Sequence, residues 1–335
     1  MAPTLRPASL SCQSVAGEDP FPGATGRAMI PGIMDPTVAP FDRRRLRLHR
    51  DRAAPGWAKH DFLFKDVAER LAERVSDFAR RFELALDLGC HGGELGRALA
   101  PTGKVDRLVQ SDLSMAMLRR AAPEGGLALV ADEEILPFAS RSLDLVMSNL
   151  SLHWVNDLPG ALLQIRHALK PDGLFLAAMF GAGTLVELRD ALAEAESEMS
   201  GGARPRVAPL PELRDAAGLL QRAGFALPVA DHEIITVTYA DPFRLLADLR
   251  GMGEASTLVS GGALSQRSLL RAAELYAGRH ADAGGRIKAT FRILFLAGWA
   301  PHDSQQKPLR PGSAKARLAE ALGTQERPLK STGED

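Results

Sequence analysis

Between residues 84 and 180, short apolar runs alternate with segments in which apolar residues recur at helical spacing. The apolar runs have the length of strands. This alternation of strands and helices predicts a parallel sheet with helices on both faces. The predicted strands cover residues 84–88, 105–110, 127–130, 143–149 and 174–180.

The helices are predicted from apolar residues that share one face. The clearest helix inside the alternating region runs from Leu158 to Leu169, and a turn at 170–173 ends it. Helical patterns also cover about residues 184–199 and 211–223, and Gly224 suits a left-handed cap after the second. Another helix precedes the first strand, with a shared face made of Phe64, Val67, Leu71, Val75 and Phe78.

The alternation becomes irregular after Thr184. Residues 237–239 and 286–296 are predicted to form two late strands, and a mostly helical stretch at about 241–283 separates them. We interpret this stretch as an insertion that covers the open edge of the ligand site.

The two ends of the chain differ in composition from the middle. Residues 1–39 are rich in Pro, Gly and Ser without periodicity, which predicts disorder. Translation from Met34 instead of Met1 would remove most of this segment, and a flexible native tail explains it equally well. We therefore expect one domain at 40–305, which contains the insertion, and a mobile tail at 306–335.

The composition disfavours several classes of protein. The chain has 335 residues, of which 45% are hydrophobic and 24% charged, as in an ordinary soluble protein. Its formal net charge of +0 argues against binding to nucleic acid through phosphates. The two cysteines, Cys12 and Cys90, can form neither a disulfide framework nor a cysteine-based zinc site, which suits a reducing compartment.

The sequence contains no recognisable membrane anchor or targeting signal. No apolar run approaches the ~20 residues that a helix needs to cross a bilayer. Residues 1–39 contain only Arg6 and Arg27 as bases beside three acids, whereas a mitochondrial transit peptide is rich in Arg and poor in acids. We therefore expect a cytoplasmic protein.

The strongest candidate for a ligand site lies where the first predicted strand ends. Residues 87–93 read Asp-Leu-Gly-Cys-His-Gly-Gly and connect that strand to a helix. Gly89 and Gly93 let the backbone turn sharply and approach a ligand closely, while Asp87 suits an ammonium group. Cys90 belongs to the same candidate site. A tight turn without a ligand would also explain the glycines.

Further candidate ligand residues follow the next three predicted strands. A carboxylate after the second strand can accept hydrogen bonds from ribose hydroxyls, and one after the third can accept from an adenine amino group. A solvated acidic turn is the alternative for the latter. Because open α/β sheets bind ligands at the carboxyl ends of their strands, we expect one shared site. These residues are Asp112 and Leu113, then Asp132 and Glu133, then Asn149.

In this order the motifs resemble those of the class I methyltransferases, which bind S-adenosylmethionine (SAM). The matching segments are the glycine loop, Asp112, Ala-Asp-Glu-Glu at 131–134, Ser-Leu-His-Trp at 151–154 and Leu-Lys-Pro-Asp-Gly at 169–173. The resemblance implies a Rossmann-like α/β fold whose sheet is mostly parallel with a late antiparallel strand. It also implies helices on both faces, a helical insertion before the last strand, and SAM as the cofactor.

A closer resemblance, over roughly residues 40–314, is to the respiratory complex I assembly factor 5 group and its bacterial relatives. It is carried by Phe-Asp-Arg at 41–43, Ala-Met-Phe-Gly at 178–181, Arg-Gly-Met-Gly-Glu at 250–254 and the segment 298–305. That group is similar to the malonyl-carrier-protein methyltransferases of biotin synthesis. The resemblance implies a protein client, an iron–sulfur subunit of complex I. Any contact with the inner membrane would then be peripheral, through complex I intermediates, and the oligomeric state stays open.

One residue departs from the superfamily pattern, because His91 stands where Gly is usual. A side chain at this position would crowd the methionine end of SAM unless the backbone keeps φ negative. Gly92 and Gly93 could supply the flexibility instead.

Of three candidate functions, the one we predict from the sequence is methyl transfer by a SAM-dependent methyltransferase. The enzyme then mainly aligns the electrophilic methyl group and sometimes supplies a general base. His153 is the candidate base, although His153 and Trp154 could simply pack the wall of the site. Trp299 and His302 could close the site, with a core position as the alternative for Trp299.

The second candidate, which the resemblance alone implies, is hydroxylation of an arginine in a complex I subunit. This chemistry usually needs iron held by two His and one carboxylate. His49 with Asp51 and His280 with Asp282 have a suitable spacing but an unsuitable context, so we predict no metal site.

The third candidate is a non-catalytic SAM-binding assembly factor that holds its client. The basic stretch at 43–52 could contact an acidic client surface, or it could be a solvated amphipathic helix. A substrate channel that reaches the sulfonium would indicate an enzyme, whereas a pure binder could keep the cofactor sealed.

Overall fold

A seven-stranded sheet with strand order β3-β2-β1-β4-β5-β7-β6 forms the centre of the computed structural model. The structure describes residues 39–122, 126–306 and 323–324. The strands are β1 Phe82–Leu88, β2 Val105–Asp112, β3 Leu127–Val130, β4 Leu143–Asn149, β5 Leu169–Phe180, β6 Ala226–Tyr239 and β7 Ile287–Trp299.

Nine α-helices surround the sheet in the described part of the chain. They are α1 Arg43–Ala53, α2 Phe62–Ser76, α3 Glu94–Leu99, α4 Met115–Ala121, α5 Leu158–Ala168, α6 Val186–Ser200, α7 Leu213–Arg222, α8 Pro242–Gly251 and α9 Gln266–His280. No helix among the described residues is long and apolar enough to cross a membrane.

The direction of the strands confirms the predicted fold class. Strands β1 to β5 are parallel, and β7 lies between β5 and β6 antiparallel to both. The carboxyl ends of β1, β2 and β4 therefore meet at one edge, where the loops with the candidate residues emerge.

Two predicted strands were too short. Strand β6 begins at Ala226 instead of residue 237, because polar residues such as Asp231 and Glu233 interrupt the apolar pattern on its less exposed face. Strand β5 begins at Leu169 instead of residue 174. The turn predicted at 170–173 lies within β5, where the pairing with β4 is irregular. Asp172 in this segment has a left-handed conformation with φ +60°.

Two buried clusters cover the two faces of the sheet. The apolar stripe of α2 packs on one face, together with residues of α6, α8 and α9. Helices α5 and α7 pack on the other face against Leu86, Val146 and Phe175. Burying these stripes explains why the helical periodicity was readable in the sequence.

The predicted insertion consists of α8, α9 and the loop between them. Helix α9 is tied to α6 by ion pairs from Arg271 to Glu198 and from Arg279 to Glu194. The loop after α8 contacts the N-terminal part of the chain, where Phe41 forms a β-bridge with Leu258. The predicted disordered segment 1–39 lies outside the described residues except for Ala39, as does most of the predicted tail 306–335.

Candidate functional site

The glycine loop joins the end of β1 to the start of α3 with two backbone positions that favour glycine. Gly89 has φ +71° and Gly93 has φ +86°. A Cβ on Gly89 would collide with the Ser151 side chain, and one on Gly93 would lie 2.7 Å from the Ala121 Cα. The loop therefore depends on glycine for both its conformation and its packing.

The backbone φ of His91 is +48°, so the negative φ that would keep its side chain from crowding the methionine end of SAM is not present. The ring is buried, stacks on Trp57 with centroids 5.6 Å apart, and contacts Phe64 at 4.6 Å. Its Nε2 lies 3.1 Å from the Leu150 carbonyl oxygen and donates to it. These contacts stabilise a conformation that an isolated histidine disfavours. Burial lowers the pKa of His91 well below its usual value, so the ring is neutral at pH 7.

Asp87 is a fully buried carboxylate near the end of β1. Neither of its oxygens makes a hydrogen bond of normal geometry with a described residue, although the Gln110 side chain lies close enough to favour the ionised form. Burial raises the pKa of Asp87 to about 8, and the nearby Gln110 side chain opposes this rise only in part. An unpaired buried carboxylate is unfavourable on its own, so this position fits a cationic group such as the ammonium of SAM.

Two more predicted residues lie around the same loop. Asn149 donates through Nδ2 to the Phe64 carbonyl oxygen at 2.9 Å, while its Oδ1 has no partner among the described residues. Cys90 is buried, and burial raises the pKa of its thiol well above the usual value. Cys90 therefore packs as a neutral thiol.

Asp112, at the end of β2, is held by backbone donors on both of its oxygens. Oδ2 accepts from the His91 N–H at 3.0 Å, and Oδ1 accepts from the Ser114 N–H at 2.7 Å. Burial raises its pKa, although Arg50 opposes this. The carboxylate is thereby fixed as an acceptor beside the glycine loop, which fits the ribose hydroxyls of SAM, and Leu113 follows it directly.

Arg50 of α1 contributes to the site, although the sequence did not predict it. Its side chain is buried and bonds to Asp112 at 3.3 Å, Glu133 at 3.0 Å and Ser151 at 2.8 Å. Although burial by itself lowers the pKa of Arg50, the two carboxylates raise it. The interpretation of residues 43–52 as a solvated helix is therefore wrong for Arg50. Arg43, Leu46 and Arg50 share one helical face, which was the available signal.

Glu133 completes this network from the loop after β3. It accepts from Arg50, from Arg43 and from the Ser151 hydroxyl, the last at 2.6 Å. Burial alone would raise its pKa, but the two arginines lower it to below its usual range. The neighbouring Asp132 is partly exposed and accepts from Arg43 at 2.6 Å. Asp132 and Glu133 are thus already paired with arginines of the protein itself.

His153 belongs to a second buried group, with Trp154 and Glu254. Glu254 Oε2 accepts from His153 Nε2 at 3.0 Å and from Trp154 Nε1 at 2.7 Å. Among the described residues, His153 Nδ1 and Glu254 Oε1 have no partner. If Nε2 carries the proton, Nδ1 keeps a lone pair and can act as a base. Sequence analysis identified Glu254 only as part of a family motif.

An apolar cavity of about 240 Å³ adjoins this group. His153 and Glu254 line it together with residues of β5, α6, the stretch before α7, and α8. This volume is below the range of about 300–1,000 Å³ that is typical of pockets for drug-sized ligands. The cavity therefore suits one side chain or another small group.

Four other candidates lie elsewhere. Trp299 pairs with Leu174 near the start of β5, so it lies at the sheet edge opposite the site, and His302 is exposed beyond it. The option that these two close the site is wrong, whereas the alternative of a core position for Trp299 agrees with its packing against the buried cluster. His49 lies 3.2 Å from the Ala255 carbonyl oxygen, and His280 packs on Tyr276. No group of three or more His, Cys, Asp or Glu within the described ranges could hold a metal ion.

Comparisons with known proteins agree with this geometry. The family model described as "Methyltransferase domain" matches residues 86–177. The chain is 42% identical over 285 residues to "Arginine-hydroxylase NDUFAF5, mitochondrial" of Danio rerio, covering 84% of this chain and 88% of that protein. It is 31% identical to the "Malonyl-[acyl-carrier protein] O-methyltransferase" of Gallionella capsiferriformans (strain ES-2), covering 78% and 92%. The resemblance read from the motifs is confirmed.

A solved structure shows the same fold at low identity. Phosphoethanolamine N-methyltransferase 2 of Haemonchus contortus, in complex with S-adenosylhomocysteine, aligns with a TM-score of 0.50 and 18% identity. The alignment covers 77% of this chain and 60% of that one. The methyltransferase fold predicted from the sequence is thereby confirmed.

Proposed function

The chain belongs to the family of the arginine-hydroxylase NDUFAF5, which has the class I methyltransferase fold, and we propose that it modifies an arginine side chain of a protein client. The leading reaction is hydroxylation. The observation that carries this proposal is the 42% sequence identity between this chain and a relative that is named an arginine-hydroxylase. The alignment covers 88% of that relative.

SAM is the cofactor that the methyltransferase domain and the residues of the site support. Asp87 would hold its ammonium group, Gly89 and Gly93 would let it approach the loop, and Asp112 would accept from the ribose hydroxyls. When bound, SAM supplies an electrophilic methyl group on a sulfonium. Because Arg50 already bonds to Asp112, the ribose must share this acceptor or displace Arg50 from it.

Hydroxylation exchanges one C–H bond of the arginine for a C–OH group. One oxygen atom of dioxygen enters the product, and a two-electron reductant with two protons converts the other into water. The chain's contribution to this reaction is to orient the arginine and exclude water. The apolar cavity beside His153 suits both tasks.

Methyl transfer to the same arginine is the second candidate, and the position of His153 favours it. A guanidinium nitrogen that gains a methyl group must lose a proton. Nδ1 of His153 can accept that proton while Nε2 stays bonded to Glu254. Glu254 then stabilises the imidazolium that forms, which makes His153 the proposed catalytic residue.

The proposed client is an iron–sulfur subunit of respiratory complex I, on the strength of the resemblance read from the sequence. The third candidate, a SAM-binding assembly factor without catalysis, would involve the same client.

Mass spectrometry of that subunit, from cells with and without this gene, tests the proposal. A gene-dependent gain of about 16 Da on one arginine is the expected result, since one oxygen atom is added. A gain of about 14 Da would establish methyl transfer instead, because a methyl group replaces a hydrogen. If the arginines are unchanged, both enzymatic proposals for this client fail, and binding without catalysis becomes the better account.

A further inference from the structure

The backbone around Glu254 fixes the position of its side chain. The residue follows α8, and its N–H donates to the Leu249 carbonyl oxygen at 2.8 Å. The preceding Gly253 has φ +75°, which ends the helix in a left-handed turn. Only 4% of the side chain is exposed, so the carboxylate is held inside the protein beside the cavity.

The hydrogen bonds of Glu254 leave half of its carboxylate unsatisfied. The side chain of a glutamate can accept at both oxygens, yet only Oε2 has partners, which are the ring N–H groups of His153 and Trp154. Oε1 is buried without a partner among the described residues. A buried carboxyl oxygen without a partner is unfavourable unless a ligand supplies a donor.

The arginines nearby do not fill this position. Arg206 lines the same cavity but bonds to Glu196 and to carbonyl oxygens of the loop at 261–263. Arg50 is close enough to interact electrostatically, but its hydrogen bonds go to Asp112, Glu133 and Ser151. Arg250 lines the cavity as an exposed residue.

The walls of the cavity suit the methylene groups of a long side chain. They include Phe180, Leu188, Leu246 and Phe291, and the cavity volume is about 240 Å³. An arginine side chain combines an apolar stem with a planar cation, so the stem can contact the walls while the guanidinium reaches a carboxylate.

We infer that Glu254 is the anchor of the substrate arginine, whose guanidinium donates to Oε1 from inside the apolar cavity. This inference rests on the proposed function, because the relationship to an arginine-hydroxylase identifies the substrate class. It adds the recognition residue and the cavity in which recognition takes place. Charge-assisted contacts with a guanidinium are strong and selective, so one carboxylate in an apolar cavity can discriminate against neutral analogues.

Calorimetric titration of the full chain with N-acetyl-arginine amide, N-acetyl-citrulline amide and N-acetyl-lysine amide tests this inference. Citrulline has nearly the shape of arginine without its charge. We expect the wild type to bind the arginine probe at least about tenfold more tightly than either analogue. The substitution Glu254→Gln should abolish the preference over citrulline. Glu187→Gln is the matched control, because Glu187 is also buried but accepts from Thr290 outside the cavity.

An arginine preference that survives Glu254→Gln, or a wild type that binds all three probes equally, would overturn the inference. If Glu254→Gln does not fold, Glu254→Asp keeps the charge on a shorter side chain and should retain a reduced preference for arginine. The proposed function fails separately. It fails if the client's arginines are unmodified in cells, even when binding of the arginine probe depends on Glu254.

Discussion

Glu133 and Glu254 are both buried glutamates at the same edge of the sheet, but their surroundings differ. Glu133 receives Arg50, Arg43 and Ser151, and the two arginines lower its pKa below the usual range against the effect of burial. Glu254 receives only two ring N–H donors, from His153 and Trp154, and Oε1 has no partner within the described part of the chain. The first carboxylate is neutralised by the protein itself, whereas the second is left for a ligand.

Asp87 resembles Glu254 in this respect. It is fully buried, and no described residue makes a hydrogen bond of normal geometry with either of its oxygens. Glu133 therefore stabilises the fold through its ion pairs, whereas Asp87 and Glu254 are available to bind a cationic group of a ligand. Substitutions at the two kinds of acid should have different effects: on stability for the first and on ligand binding for the second.

The largest expected effect is on stability. The substitution Arg50→Met leaves Asp112 and Glu133 buried with one fewer cation, which should lower the free energy of unfolding by about 3–5 kcal/mol. Urea denaturation at pH 7 measures this. Arg47→Met, at an exposed position of the same helix, should change stability by less than about 0.5 kcal/mol. Adding Glu133→Gln to Arg50→Met should recover part of the lost stability, because it removes the charge that Arg50 pairs with. If the double variant loses as much stability as the two single variants added together, Arg50 and Glu133 are not coupled.

The next effect is on cofactor binding. The substitution Asp87→Asn removes the proposed partner of the ammonium and should weaken SAM binding by about 10–100-fold, with little loss of stability. Calorimetric titration with SAM measures the affinity. Asp106→Asn, at a surface site that pairs with Arg81, serves as the control and should bind SAM like the wild type. Unchanged affinity in Asp87→Asn would remove Asp87 from the cofactor site.

The affinity for SAM should also depend on pH. The pKa of Asp87 in the ligand-free fold is about 8, above its usual value near 4, so the residue is largely protonated at pH 7. Only the ionised form can pair with an ammonium, so binding releases a proton. Affinity should rise with pH, by up to about tenfold per unit, up to about pH 8, and fall above it because the α-amino group of SAM then loses its own proton. Titrations at pH 6, 7, 8 and 9 would show this, and Asp87→Asn should flatten the curve.

The raised pKa of Asp87 has the opposite effect on the stability of the ligand-free protein, which should fall as the pH rises. Because the folded-state pKa lies above the unfolded one, ionisation of Asp87 opposes folding. Its contribution to the free energy of unfolding therefore falls as pH rises from about 4 to about 8. Asp87→Asn should lose this component of the pH dependence, which denaturation at several pH values would measure.

The smallest expected effect concerns Arg43. Its side chain is 13% exposed, and Glu133 keeps Arg50 when Arg43 is removed. We expect Arg43→Met to lower the free energy of unfolding by about 1 kcal/mol, clearly less than Arg50→Met. If Arg43→Met and Arg50→Met lose equal stability, the deeper burial of Arg50 does not determine its contribution to the free energy of unfolding.

The strands and the glycine loop could be predicted from the sequence because their signals are local. The apolar run before Asp87 and the glycines after it occupy consecutive positions, and a parallel sheet brings its strand ends to one edge. Strand β6 was mostly missed because polar residues such as Asp231 and Glu233, which pair with arginines of α2, interrupt its apolar pattern on the less exposed face.

The partners of the buried acids could not be predicted, because they come from distant parts of the chain. Arg50 meets Glu133 across 83 residues, and His153 meets Glu254 across 101. A basic helix at 43–53 gives no sign in the sequence that one of its arginines is buried, apart from its helical spacing with Leu46. Likewise, a glutamate after α8 becomes part of the site only when the insertion folds over β4 and β5.

A crossed calorimetric titration tests the central distinction most directly. SAM and N-acetyl-arginine amide would each be titrated into the wild type, Asp87→Asn and Glu254→Gln. We predict that Asp87→Asn weakens SAM binding while keeping the arginine preference, and that Glu254→Gln loses the arginine preference while binding SAM normally. Two variants that lose both ligands equally, or neither, would contradict the assignment of these carboxylates to separate ligands.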